Sequence, residues 1–112
     1  WNDSRSCSTA TNINTPKGTL INAVTCLSAG DTLYIRGGTY TGSNNTIDSE
    51  VNTVPSGTSW SNAVTIRGYP GETVTIRPPN GIHGLRLTLG APHYLIFQDF
   101  ILDYVNDTIG MV

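Results

Sequence analysis

Charge is scarce in this chain. Only 12% of its 112 residues are Asp, Glu, Lys or Arg, about half the share usual in soluble domains. Lys17 is the only lysine, and there is no run of basic residues. The net charge of −2 offers neither a basic patch nor a phosphate track, so nucleic-acid binding is excluded. Long apolar runs are missing as well: no segment approaches the roughly 20 residues of a membrane span, so no membrane span is expected. The sequence has no initiating Met, no basic n-region and no signal-type apolar stretch; it opens at Trp1, as a processed or excised chain would. Two cysteines are too few for a cysteine-based structural zinc site.

What fills the chain is Thr, Ser, Asn and Gly, a composition suited to an extracellular β protein. Cys7 and Cys26 offer one disulfide, which would stabilise the fold by about 3 kcal/mol in the chain-entropy model. The alternative is a pair of buried free thiols. Three glycosylation sequons begin at Asn2, Asn44 and Asn106. Together these features place the chain outside the cell, secreted or on a surface.

Hydrophobic patterning divides the chain. Residues 1–14 read as an extended polar arm, and 15–112 as one module. Thr15 suits an N-cap and Pro16 the first helical position, with Leu20, Ala23, Val24 and Leu27 on one face, which predicts a helix over about 16–28. Leu33 and Ile35 alternate against Tyr34 and Arg36 as a strand. Residues 41–62 lack periodicity and read as a surface loop, from which Trp60 folds back onto the core. From residue 63 onward, short alternations (Val64/Ile66, Val74/Ile76, Leu85/Leu87/Leu89, Leu95/Phe97, Phe100/Leu102) are separated by Gly and Pro corners.

Val64 to Leu85 and Val74 to Leu95 are both separations of 21 residues. Such a period predicts an all-β chain wound as a right-handed parallel β-helix, a β-solenoid with coils over 63–112 and a short N-terminal capping helix. The competing architecture is an antiparallel β-sandwich, which the scarcity of Asn-Gly and Asp-Gly hairpin turns disfavours. The helix, then "AGDTLYIRGGTYTG", "NAVTIRGYPGETVTI" and "HYLIFQDFILD", resemble the N-terminal region of the pectate-lyase-like right-handed parallel β-helix proteins. The resemblance covers about residues 16–105. It implies that the helix covers one mouth of the solenoid. The family's catalytic bases and calcium-binding carboxylates lie on later coils, so no catalytic residue carries over.

The remaining candidates for chemistry are sparse. Asp99, Asp103 and Asp107 are spaced by four, yet the strand pattern makes Asp99 a corner residue rather than a member of a helical acidic face. Calcium needs six or more oxygen ligands and enters only under a lyase reading; no other cofactor or metal is implied. Arg36, Arg67 and Arg77 each follow an inward Ile and therefore face outward. They would meet an acidic polysaccharide, serve a lyase as a base, or simply pair with Asp31, Glu72 or Asp48. His83 and His93 sit at corners, and no nucleophile elbow or phosphate-binding glycine loop accompanies them. Tyr34, Tyr40, Tyr69, Tyr94 and Trp60 would stack on sugars if exposed, or else cover the core.

The leading functional expectation is a non-catalytic structural subunit of an extracellular fibre or surface assembly. Copies would join head to tail through an edge made by Phe100, Leu102, Ile109 and Met111. The alternatives are the N-terminal portion of a polysaccharide lyase that cleaves uronate polymers by β-elimination, and a glycan-binding module. The last of these requires exposed aromatic side chains.

Overall fold

The computed structural model describes residues 2–104. Among these residues one α-helical turn, three 3-10 turns and eight short strands make up the regular structure. The helix α1 is Leu20–Ala23; the strands are β1 (Thr32–Ile35), β2 (Gly38–Tyr40), β3 (Ile47–Asp48), β4 (Val64–Gly68), β5 (Val74–Ile76), β6 (Leu85–Arg86), β7 (Leu95–Gln98) and β8 (Ile101–Leu102). They form three sheets, ordered β1-β4-β7, β2-β5-β8 and β3-β6, and every pairing is parallel. That excludes the antiparallel sandwich.

The β-helix expectation is corrected. Among the described residues the chain forms three short parallel sheets of two or three strands and no closed solenoid. The inferred period is also not the one the strands use. Val64 lies beside Leu95 rather than Leu85, Val74 lies beside Gly38, and Leu85 lies beside Ile47. The 21-residue spacing arose because several strands share the same apolar–polar alternation, which fixes the face of a side chain but not its neighbour.

The capping helix over 16–28 is corrected too. Only residues 20–23 are α-helical, continued by a 3-10 turn at Val24–Cys26. The first turn is pre-empted by Asp3, whose carboxylate accepts from the amides of Gly18 and Thr19 at 3.0 and 2.8 Å and from the Thr19 hydroxyl at 2.9 Å. Thr19 is therefore held extended as the N-cap, and the helix begins after it. At the far end, β-branched Val24 and Thr25 favour the tighter turn over continuation.

The core is a set of inward columns. Ile35, Ile47, Val64, Ile66, Val74 and Ile76 are fully or almost fully buried, with Leu20 and Val24 of the helical segment packed on them. Residues 41–62 are not wholly a surface loop, since Thr46 to Ser49 are buried around β3. Trp60 does not fold back; it is 67% exposed. The arm is tied down by a Cys7–Cys26 disulfide with Cα atoms 5.4 Å apart, so these cysteines are not free thiols.

Candidate functional site: a corner cleft of tyrosine and paired charges

Alternation places Tyr34 of β1 and Arg67 of β4 on the outer face, in register with Gln98 of β7. Just past these strands the chain turns at Tyr69-Pro70-Gly71-Glu72, where the Glu72 amide donates to the Tyr69 carbonyl at 3.0 Å. Pro second and Gly71 third, at φ 81°, are the residues a type II turn demands. The turn sets Tyr69 edge-on to Tyr34, ring centroids 5.8 Å apart. It also sends Glu72 back to Arg36.

A cleft of about 620 Å³ opens beside this corner, lined by Arg67, Tyr69, Glu72, Asp99 and Ile101 among others. Asp99 occupies a left-handed conformation (φ 62°) between β7 and β8, as expected of a corner residue. Gly68 makes that corner possible: a side chain there would collide with the Asp99 carbonyl.

The charges around the cleft are paired. Arg36 makes a two-pronged contact with Glu72 at 2.8 and 2.6 Å, and the Gly37 amide adds a third bond at 2.7 Å. The Arg36 hydrogen bonds, with that amide, hold the Glu72 carboxyl at about 2, and the same contact raises the guanidinium pKa. Arg67 pairs with Asp99 across the sheet. Each guanidinium also approaches a ring, Arg36 over Tyr69 at 4.8 Å and Arg67 over Tyr34 at 6.0 Å. Arg67 Nε is buried without a hydrogen-bond partner among the described residues.

The other outward arginines follow the same rule. Arg77 bonds Asp103 at 3.1 and 2.9 Å, and Arg86 bonds Asp48 at 3.0 and 2.8 Å while reaching Glu50 at 3.0 Å. Burial pushes the Asp48 carboxyl up, but its bonds to Arg86 and to the Glu50 amide outweigh this and leave it below the usual range. Of the three anticipated partners, Glu72 takes Arg36 and Asp48 takes Arg86, which had not been singled out. Asp31 instead accepts from the Ser28 amide at 2.8 Å. The sequence signal that was missed is simple: each outward Arg finds its carboxylate on a neighbouring strand or corner, 26 to 38 residues away.

The remaining candidates fall apart from one another. Tyr34 is 49% exposed, whereas Tyr40 packs on the core and its hydroxyl donates to the Arg36 carbonyl at 2.6 Å. Burial pushes the Tyr40 phenol up. Trp60 meets half-buried Tyr94 edge-on at 5.1 Å. His83 and His93 are exposed, and the His93 ring lies 3.0 Å from the Ala91 carbonyl. Asn2 and Asn44 are exposed. Phe100 and Leu102 are half-buried, with Phe100 edge-on to Phe97 at 6.4 Å. Asn106, Asp107, Ile109 and Met111 lie outside the described residues. Among the described residues no three His, Cys, Asp or Glu side chains gather as metal ligands.

The Cys7–Cys26 disulfide fits an oxidising compartment. No helix among the described residues is long and apolar enough to cross a membrane. Comparison with protein-family models, with curated proteins and with solved structures finds no match.

Proposed function

We propose that this chain is a secreted, non-catalytic glycan-binding module whose ligand lies against Tyr34 and Tyr69 and reaches into the corner cleft. The observation that carries the reading is the tyrosine pair, Tyr34 exposed and Tyr69 half-buried, set among planar, fixed hydrogen-bonding groups. An aromatic face attracts the polarised C–H groups of a sugar ring as it attracts a cation. Arg and carboxylate side chains then address hydroxyls in two-pronged fashion. A cleft of about 620 Å³ lies within the size range of small-ligand sites.

The pairing of charges selects among glycans. An unpaired arginine row would favour uronates, but Arg36, Arg67, Arg77 and Arg86 all spend their charge on carboxylates of the chain. The module therefore suits a neutral polysaccharide. Chemistry by these groups is disfavoured as well. A carboxyl held at about 2 holds no proton to donate near neutrality, and an arginine with a raised pKa is a poor base.

The test is retention on immobilised neutral and uronate polysaccharides, with release of unsaturated, ultraviolet-absorbing product followed in parallel. Retention by a neutral glycan is expected, weakened about tenfold or more in Tyr34→Ala/Tyr69→Ala, with no product formed. Equal retention of the double variant, or binding to uronates alone, would overturn the reading.

A further inference from the structure

The outer edge of β1 offers backbone groups rather than aromatic rings. The carbonyls of Asp31 and Ile35 accept from the amides of Thr65 and Tyr69 of the neighbouring strand segment, at 3.0 and 2.8 Å. Backbone groups alternate sides along a strand, so those of Thr32 and Tyr34 point the opposite way. β1 has no neighbour on that side among the described residues, because β4 is its only sheet partner. A groove of about 290 Å³ runs there, lined by all six residues 31–36 in succession. Successive side chains leave a strand on opposite faces, so only a groove following the backbone edge is lined by every one of them. Its other wall is the disulfide-tied arm and helix, including Cys7, Ala10, Leu20 and Ala23.

The complementary edge lies on β7 of the same sheet. The Val64 amide donates to the Tyr94 carbonyl at 3.0 Å, so the backbone groups of Leu95 and Phe97 face away from β4. Those residues also end the inward columns. Val64 and Ile66 are completely buried, while their register partners Leu95 and Phe97 are only partly covered. Among the described residues nothing pairs with the far side of β7.

We infer that the β1 groove accepts β7 from a second copy of the chain, joining copies head to tail. Parallel addition continues the direction of the existing sheet, so one contact satisfies both unpaired edges. It also carries the Leu95/Phe97 layer onto the Leu33/Ile35 layer of the next copy. Because different surfaces meet, the contact repeats and yields open chains rather than closed dimers. The arm walls the groove and the Cys7–Cys26 bond holds it there; reduction loosens that wall and admits the strand more easily.

Sedimentation velocity over a wide concentration range, with and without reductant, tests this. Species growing with concentration are expected, and growing further after reduction. Thr32→Pro removes one outward amide that makes no bond within the sheet, the position at which an edge strand tolerates proline. It should weaken association about threefold to tenfold, the worth of one hydrogen bond. A peptide of residues 93–99 added to the unmodified protein should shift oligomers toward monomer, which keeps the test valid if the variant folds poorly. A monomer at every concentration, oxidised and reduced, would overturn the inference; so would assembly that neither the peptide nor Thr32→Pro weakens. Glycan retention is read separately and does not depend on either result.

Discussion

Two arginine–carboxylate pairs of this protein share their chemistry and differ in almost everything else. In the pair between β3 and β6, the Asp48 side chain is 4% exposed and accepts from two nitrogens of Arg86 and from the Glu50 amide. In the pair at the corner cleft, Asp99 is 51% exposed and meets Arg67 through one nitrogen. The first pair stands where a two-stranded sheet of only two residues per strand has little ladder to hold it. The second decorates a three-stranded sheet whose inner columns already supply the stability. One residue pattern therefore fastens the weakest sheet and, a few strands away, furnishes a polar rim beside tyrosines.

The largest effects should come from breaking the buried member of the comparison. Arg86→Ala leaves a carboxylate with almost no access to water and without its guanidinium partner, the costly way to break a buried pair. Asp48→Ala is milder, about 3 kcal/mol, because Arg86 keeps Glu50 within reach at 3.0 Å. Denaturant unfolding of both variants and of the double variant checks this, and a double-mutant coupling near zero would remove the pair from the account. Next comes Cys7→Ser/Cys26→Ser. With the cysteines 19 positions apart, about 3 kcal/mol of loop-closure stabilisation is lost in the chain-entropy model. The loss should appear as a lower unfolding midpoint in the same experiment.

The contrast also explains what could be read from the sequence. Strand faces were legible: Leu33/Ile35, Val64/Ile66 and Val74/Ile76 point inward, because period-two alternation is a local property. Partner strands were not. Several segments carry the same alternation, and whether Val64 lies on Leu85 or on Leu95 depends on how the intervening loops return the chain. β3 was invisible because its two residues sit inside a polar stretch, where Ile47 and Asp48 present no repeat at all. The short helix was hidden for another reason: the residue that cancels its first turn, Asp3, lies some fifteen positions upstream. At the cleft, the arginines were visible as outward-facing, while the tyrosines were left open between meeting sugars and covering the core. The pairing of the arginines with Glu72 and Asp99 was only partly visible, since it needs the register.

Acid separates the Arg36–Glu72 pair from ordinary surface pairs. A carboxyl held at about 2 in the folded chain, against an ordinary value near 4.5, adds stability above that ordinary value. The contribution fades as pH falls from about 4.5 toward 2 and is gone below. Asp48, also depressed, should add to the loss in the same direction. Thermal midpoints measured from pH 6 to pH 2 should therefore fall, and Glu72→Gln should flatten part of that slope. An unchanged slope in Glu72→Gln would mean that the pair contributes nothing to folding.

The smallest stability effect is expected at the exposed member. Asp99→Asn keeps the shape of the corner and a side chain that tolerates φ 62°, while removing the charge from Arg67. Exposed pairs are worth about 0–1 kcal/mol, so the unfolding midpoint should barely move. The glycan selectivity proposed for the cleft should move more, because a guanidinium beside Tyr34 would then stand without its counter-charge. Uronate polysaccharide should be retained better by Asp99→Asn than by the unaltered protein, and neutral glycan about equally. If the substitution instead destabilises the fold as much as Asp48→Ala does, the corner pair is a fastening like the buried one and the two regions do not differ in role. If stability and selectivity both stay fixed, the pairing of charges does not govern the proposed glycan recognition.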